Sequence, residues 1–187
     1  MTSLKAHEIF TPPCRLVDQT DLPRVGFRGS QSAEYLSARG FSLPEAPNQA
    51  TAQADGSWVA RLSQSEYLVL GSPLDQGQRI ADEEARWELD HRANYLLPRQ
   101  DSHACVLLSG DVIAQVMAKL CGVDLSAAAF KPGAVAQTSV ARANAIVIHS
   151  GSVDAPAFHI LWDRASKEYF MSALLDALEE FGGGNVL

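Results

Sequence analysis

The hydrophobic positions of this chain fall into short alternating runs broken by glycine and proline, with two longer helical stripes among them. Val25 and Phe27 point one way along Arg24–Arg28, which reads as a strand; Gly29 and Ser30 then open a helix with Ser30 as its N-cap. Ala33 and Leu36 support that helix and Gly40 stops it. Residues 43–48 carry two prolines and read as a loop. Residues 58–62 and 66–70 read as strands joined by a short turn, closed by Gly71, Ser72 and Pro73. Over 78–90 the spacing of Ile80, Glu84 and Trp87, with Ala81 and Ala85, predicts an acid-rich, weakly amphipathic surface helix.

The next stretch, LPRQDSHACVLLSG at 97–110, has a companion in AQTSVARANAIVIH at 136–149. Both set a compact polar group (Arg99, Gln100, Asp101 and His103; Gln137, Thr138, Ser139 and Arg142) directly against a run that continues as a strand. Polar side chains at the mouth of a buried strand are held in place and so are usable for recognition, although the solubility of a strand edge asks for the same residue types. Residues 103–108 predict a strand. From Gly110 and Asp111 a helix follows, in which Ile113, Val116, Met117, Leu120 and Cys121 recur at three- and four-residue steps until Gly122. Residues 130–133 make a turn, 134–141 and 145–149 strands, 150–156 a polar loop and 158–162 a last strand. Asp163 caps a final helix burying Phe170, Leu174, Ala177, Leu178 and Phe181.

The two halves share one grammar. VGFRGSQSAEYLSARGFSL from Val25 matches VLLSGDVIAQVMAKLCGVDL from Val106 as strand, glycine, helix, glycine, turn, with Gly29 and Gly110 81 residues apart. Each half reads in outline as β-α-β-β-β-α. One such unit cannot cover both faces of its sheet, whereas two packed about a pseudo-twofold axis can. The expectation is a single α+β domain over 22–187 with intertwined halves near 22–97 and 98–183. It is preceded by a leader arm at 1–21, where Pro12 and Pro13 favour an extended path.

A chain of 187 residues can bury roughly 70% of its unfolded surface without staples. With 22 acidic against 15 basic residues the net charge is −7, which argues against nucleic acid as a main partner. Cys14, Cys105 and Cys121 are odd in number and lack CxxC spacing, pointing to a reducing compartment, with Cys105 and Cys121 read as buried small hydrophobes. No signal-peptide core and no run of roughly 18 apolar residues is present, so a cytoplasmic protein without membrane contact is expected.

The chain carries no GxGxxG loop, Gly26 and Gly29 being the nearest pair, and no P-loop, HExxH or GxSxG. Its five histidines (His7, His91, His103, His149, His159) show no metal-ligand spacing. Neither a catalytic nor a metal site is therefore expected. Asp101 and His103, two apart on one strand face, can share an acid-base neighbour; the favoured reading has Asp101 capping a turn and His103 bonding across strands. Arg99 and Arg142 can each fork onto a carboxylate, either of the other half or of a partner. Trp58, Trp87 and Trp162 are candidate interface anchors, at most one of them serving so. The leader is a better candidate for partner contact.

The order PRQDSHACVLLSG, then AKLCGVDLSAAAFKPGAVAQTSVARANAIVI, then FHILWDRASKEYFMSALLDALEEFG resembles the gamma subunit of heterotetrameric sarcosine oxidases, over roughly residues 22–183. The resemblance implies a fold like the tetrahydrofolate-binding domain of glycine-cleavage aminomethyltransferases. It implies partners, the alpha, beta and delta subunits, in a complex that oxidises sarcosine to glycine and passes the methyl carbon to tetrahydrofolate. FAD, FMN, NAD, tetrahydrofolate and zinc would be held by those other subunits, and none by this chain. Partner-contact candidates are then Arg99, Asp101, His103, Gln137, Arg142 and Trp87. Two alternatives stay open: the equivalent subunit of an N-methyl amino acid dehydrogenase, such as N-methylglutamate dehydrogenase, or a stand-alone folate-binding one-carbon protein. In the last, Asp101 would hold the pterin ring and Arg99 or Arg142 the glutamate tail.

Overall fold

The computed structural model describes residues 14–182. In chain order these form β1 (Cys14–Asp18), β2 (Arg24–Arg28), α1 (Ser32–Ala38), β3 (Gln49–Ala52), β4 (Trp58–Arg61), β5 (Glu66–Leu70), α2 (Gln78–Arg86) and β6 (Tyr95–Pro98). There follow α3 (Arg99–Ser102), β7 (His103–Gly110), α4 (Ile113–Ala118), β8 (Val135–Val140), β9 (Ala143–His149), β10 (Ala157–Asp163) and α5 (Lys167–Glu179). Among the described residues the strands make two five-stranded sheets, ordered β3-β4-β5-β2-β6 and β8-β9-β10-β7-β1.

Two antiparallel sheets flanked by helices make the architecture α+β. The sheets meet face to face through Ala60, Leu62, Leu68 and Leu70 on one side and Cys105, Ile148 and Leu161 on the other. Helices cover the outer faces. Tyr35 and Leu36 of α1 and Ile80 of α2 pack on Val25, Phe27, Val59 and Val69. Val116 and Met117 of α4, with Phe170 and Leu174 of α5, pack on Val106, Val147, Ile160 and Trp162. A strand buried on both faces must be apolar at consecutive positions, which is why β10 reads as a continuous run, FHILW, and not as an alternation. Trp162 lies in that core, stacked on Phe170 with centroids 4.0 Å apart, rather than at a surface.

The sheets are interlocked by the strand that precedes each. β1 pairs with β7, Cys14 opposite Gly110 and Asp18 opposite Val106. β6 pairs with β2, Arg28 opposite Tyr95 and Val25 opposite Pro98. Residues 14–18, part of the expected arm, are thus a strand within this chain's own sheet. The rest of the arm before Cys14 lies outside the described residues. Arg24, 2% exposed, ties the crossing together: Nη1 donates to the oxygens of Gln19 and Leu22, and Nη2 to those of Thr20 and His103.

Local departures from the sequence reading have physical causes. The first helix is preceded by Gln31, not Ser30, and has no side-chain cap; Gln31 Oε1 instead accepts from Ala93 N at 2.8 Å. The second-half helix starts only at Ile113, after Val112. The acid-rich helix ends at Arg86 because Trp87 turns extended, with ψ 133°. Asp163 caps the single helical turn Arg164–Ser166 that leads into α5, its carboxylate accepting from Ala165 N at 2.8 Å.

Candidate functional site

Residues of β7, β8, β9 and β10 line a cleft of about 310 Å³. His103 on β7, Gln137 on β8 and Asn144 on β9 supply its polar side chains, while Ile146 and Leu161 supply its apolar wall; Thr138 and Ala145, which alternate onto the outer face, also border it. Gln137 also spans the two sheets, its Nε2 donating to Leu62 O at 2.6 Å and to Asn48 Oδ1 at 2.8 Å.

Burial, then the positive charges of Arg99 and Arg24, pull the His103 pKa down to about 4, so the ring is neutral near pH 7. Ser102 Oγ donates to Pro98 O at 3.0 Å and lies 2.7 Å from His103 Nδ1. Arg99 lies over Gly26 of β2: a Cβ there would come within 3.0 Å of Arg99 Nε. Arg99 Nη2 pairs with Glu66 Oε1 at 2.5 Å.

The expectation that Asp101 and His103 share a strand face is corrected. Asp101 sits in the helical turn α3, exposed, while His103 begins β7. Their alternation by two is lost because residues 99–102 coil. Arg99 takes the intramolecular option, its carboxylate coming from the other half of the sequence. Arg142 is exposed at the tip of the β8–β9 hairpin, and Trp87 is half-buried against the cluster under α2. Of the six contact candidates the cleft gathers His103 and Gln137. Asn144 and Glu66 were missed. A glycine inside an apolar strand, Gly26, was the sequence signal that something large lies on β2.

Chemically the cleft offers amides and a neutral imidazole. Among the described residues no group of three or more His, Cys, Asp or Glu could hold a metal ion. Cys105 is fully enclosed, and burial pushes its thiol up to about 12. No helix among the described residues is long and apolar enough to cross a membrane. Of the residues named for the folate alternative, Arg99 is engaged by Glu66, and none of Asp101, Arg99 and Arg142 lines this cleft.

Neither a family model nor a curated protein sequence matches the chain. Solved structures do. A chain of the heterotetrameric sarcosine oxidase from Corynebacterium sp. U-96, in complex with pyrrole 2-carboxylate, superposes with a TM-score of 0.71 at 21% identity, over 93% of this chain and 88% of that one. The glycine cleavage system aminomethyltransferase T from Bartonella henselae superposes with a TM-score of 0.65 at 15% identity, over 88% of this chain. This chain spans 46% of that protein's length. The fold implied by the sequence resemblance is therefore the fold of this chain, an α+β architecture shared with a heterotetrameric sarcosine oxidase chain and with aminomethyltransferase T.

Proposed function

We propose that this chain is the gamma subunit of a heterotetrameric sarcosine oxidase, an architectural member of a complex that oxidises sarcosine to glycine with one-carbon transfer to tetrahydrofolate. The observation that carries the reading is the nearly end-to-end match in fold to one chain of such an oxidase, 93% of this chain against 88% of that one. The motifs over 98–183 point the same way. The cleft supports it too, since its groups suit binding and not attack. On this reading FAD, FMN, NAD, tetrahydrofolate and zinc belong to the alpha, beta and delta subunits, in the cytoplasm. Asp101, Gln137 and Arg142, all exposed, make the partner contacts together with Arg99, His103 and Trp87.

The same reading makes the chain a duplicated β-α-β-β-β-α unit about a pseudo-twofold axis, with halves near 22–97 and 98–183. The two strand orders correspond place by place. Gly29 and Gly110, aligned by the repeat, both have positive φ, at 148° and 127°.

The test is gentle purification of the tagged full chain from its native cell, reading assembly mass and visible flavin absorbance. A yellow assembly with further subunits is expected; a colourless lone chain overturns the proposal. Assaying the assembly with sarcosine against other N-methyl amino acids separates the oxidase from an N-methyl amino acid dehydrogenase. Arg142→Glu is expected to lower partner recovery by about tenfold, because a rim charge of the wrong sign opposes docking.

A further inference from the structure

β8 is an end strand of the second sheet, paired along Val135–Val140 with β9. In an antiparallel ladder the main-chain groups of successive residues turn alternately toward the partner strand and away from it. Two bonds at the start of β8 set the phase. His149 N donates to Ala134 O at 2.9 Å, across to β9, while Val135 N donates to Asn48 O at 2.9 Å, away from it. The register then runs unbroken to Val140. Gln137 and Ser139, in step with Val135, therefore turn their N–H groups and carbonyls outward, and both residues are exposed.

The chain closes the two ends of this edge and leaves its middle. Gln49 bridges Ala134, but Asn48, with φ 60° and Pro47 before it, turns the preceding loop off the strand. At the far end Cys121 bridges Val140, and Ala141 N donates to Leu120 O at 2.9 Å. Between these closures the Gln137 N–H and C=O and the Ser139 N–H have no partner among the described residues. An exposed edge is normally guarded by a lysine, a proline or a bulge, and VAQTSV holds none of these. Charge singles out what would cover it. In a chain of net charge −7 the run 126–153 contains no Asp or Glu, and Arg142 stands exposed at the tip of the β8–β9 turn. Resting on the subunit reading, we propose that an extended segment of a partner subunit adds to β8 as a further strand of the second sheet. Its main chain bonds Gln137 and Ser139, and an Asp or Glu beside that stretch pairs with Arg142. Three free main-chain groups limit the addition to about three residues. The residue that donates to the Gln137 carbonyl is not proline. Gln137 also lines the cleft, so a side chain of the added strand has room on the inner face.

The test uses the tagged full chain, isolated and in its gently purified assembly. Hydrogen exchange at residue resolution should show the Gln137 and Ser139 amides slowed about tenfold or more in the assembly, while the Thr138 amide, bonded to β9, is protected in both. Ser139→Pro removes an outward N–H and breaks no bond to β9, so it should melt like the parent chain and recover about tenfold less partner. Arg142→Lys keeps the charge and should recover more partner than Arg142→Glu. Unchanged exchange at both amides in an assembly that does form overturns the proposal and leaves the subunit reading intact; a lone chain overturns both. Slow exchange at both amides in an isolated chain of doubled mass gives the edge to a second copy and overturns the proposal as well. Exchange is read on the unsubstituted chain, so the outcome does not hang on the folding of Ser139→Pro.

Discussion

Arg24 Nη2 donates to the main-chain oxygen of His103 at 2.6 Å, fastening β2 of one sheet to the first residue of β7 in the other. Together with its bonds to Gln19, Thr20 and Leu22, this one guanidinium satisfies four carbonyls at the crossing. Arg24→Met takes this donor from all four, although Gln19 O keeps Leu22 N at 3.0 Å, and is expected to cost about 3 kcal/mol, read as a lower urea midpoint. Arg24→Lys, with fewer donors in a different geometry, should recover only part of this.

Gly29 is where β2 gives way to α1. A Cβ there would stand 2.0 Å from Ala93 O, and φ is 148°. Gly29→Ala is expected to destabilise by more than about 3 kcal/mol. Gly40 also has positive φ, at 81°, but open space around it, so Gly40→Ala should cost only about 1 kcal/mol. The difference in melting temperature between the two variants separates collision from backbone strain; equal losses would contradict the assignment.

Val140 faces Ala143 across the β8–β9 hairpin, leaving Ala141 and Arg142 as a two-residue turn with φ 48° and 66°. Such a turn favours glycine or asparagine. It is held by Ala141 N donating to Leu120 O and Tyr169 Oη donating to Ala141 O, both at 2.9 Å. Arg142→Gly should stabilise the isolated chain by about 1 kcal/mol and at the same time weaken assembly. A thermal melt and a co-purification on one variant check both arms.

Two histidines make stability fall in mild acid. Burial pulls His159 down to about 4, and His103 reaches about 4 through burial, then Arg99 and Arg24. Both lie below the ordinary 6.5, so between pH 6.5 and 4 the unfolded chain binds more protons than the folded one. Stability is therefore fully present above 6.5 and is lost as pH falls through that window. For His159 the shift corresponds to about 3 kcal/mol. Melting temperature should drop across the window, and less steeply in His159→Phe.

Cys14, Cys105 and Cys121 are all buried and free, and burial raises the Cys14 and Cys105 thiols. A thiol reagent such as dithionitrobenzoate should find no reactive cysteine in the native chain and three after denaturation. Rapid labelling without denaturant would contradict the packing.

What the sequence disclosed depended on how far each segment decides its own structure. β2, β5 and α5 were legible because alternation or helical spacing persists along them. β3, QATA, and β6, YLLP ending in Pro98, are four residues long at sheet edges, and only their neighbours make them strands. The strand at 14–18 was hidden by the prolines just before it and by a partner, β7, far along the chain. The site was legible as residue types and not as pairings. Nothing near Arg99 announces Glu66, thirty-three residues away, and nothing in QDSH says that Asp101 coils before His103 extends.

The interlocked leading strands also set a timetable for synthesis. Cys14–Asp18 leaves the ribosome early, yet its partner His103–Gly110 is made only after most of the first sheet. The open flank of β2 likewise waits for Tyr95–Pro98. The first sheet cannot close before Tyr95 nor β1 pair before His103, so the nascent polypeptide carries the β1 edge unpaired from residue 18 to residue 103 and the open flank of β2 from residue 28 to residue 95. Escorting that interval, by a chaperone or by a partner subunit made alongside, is the demand this topology places on the cell.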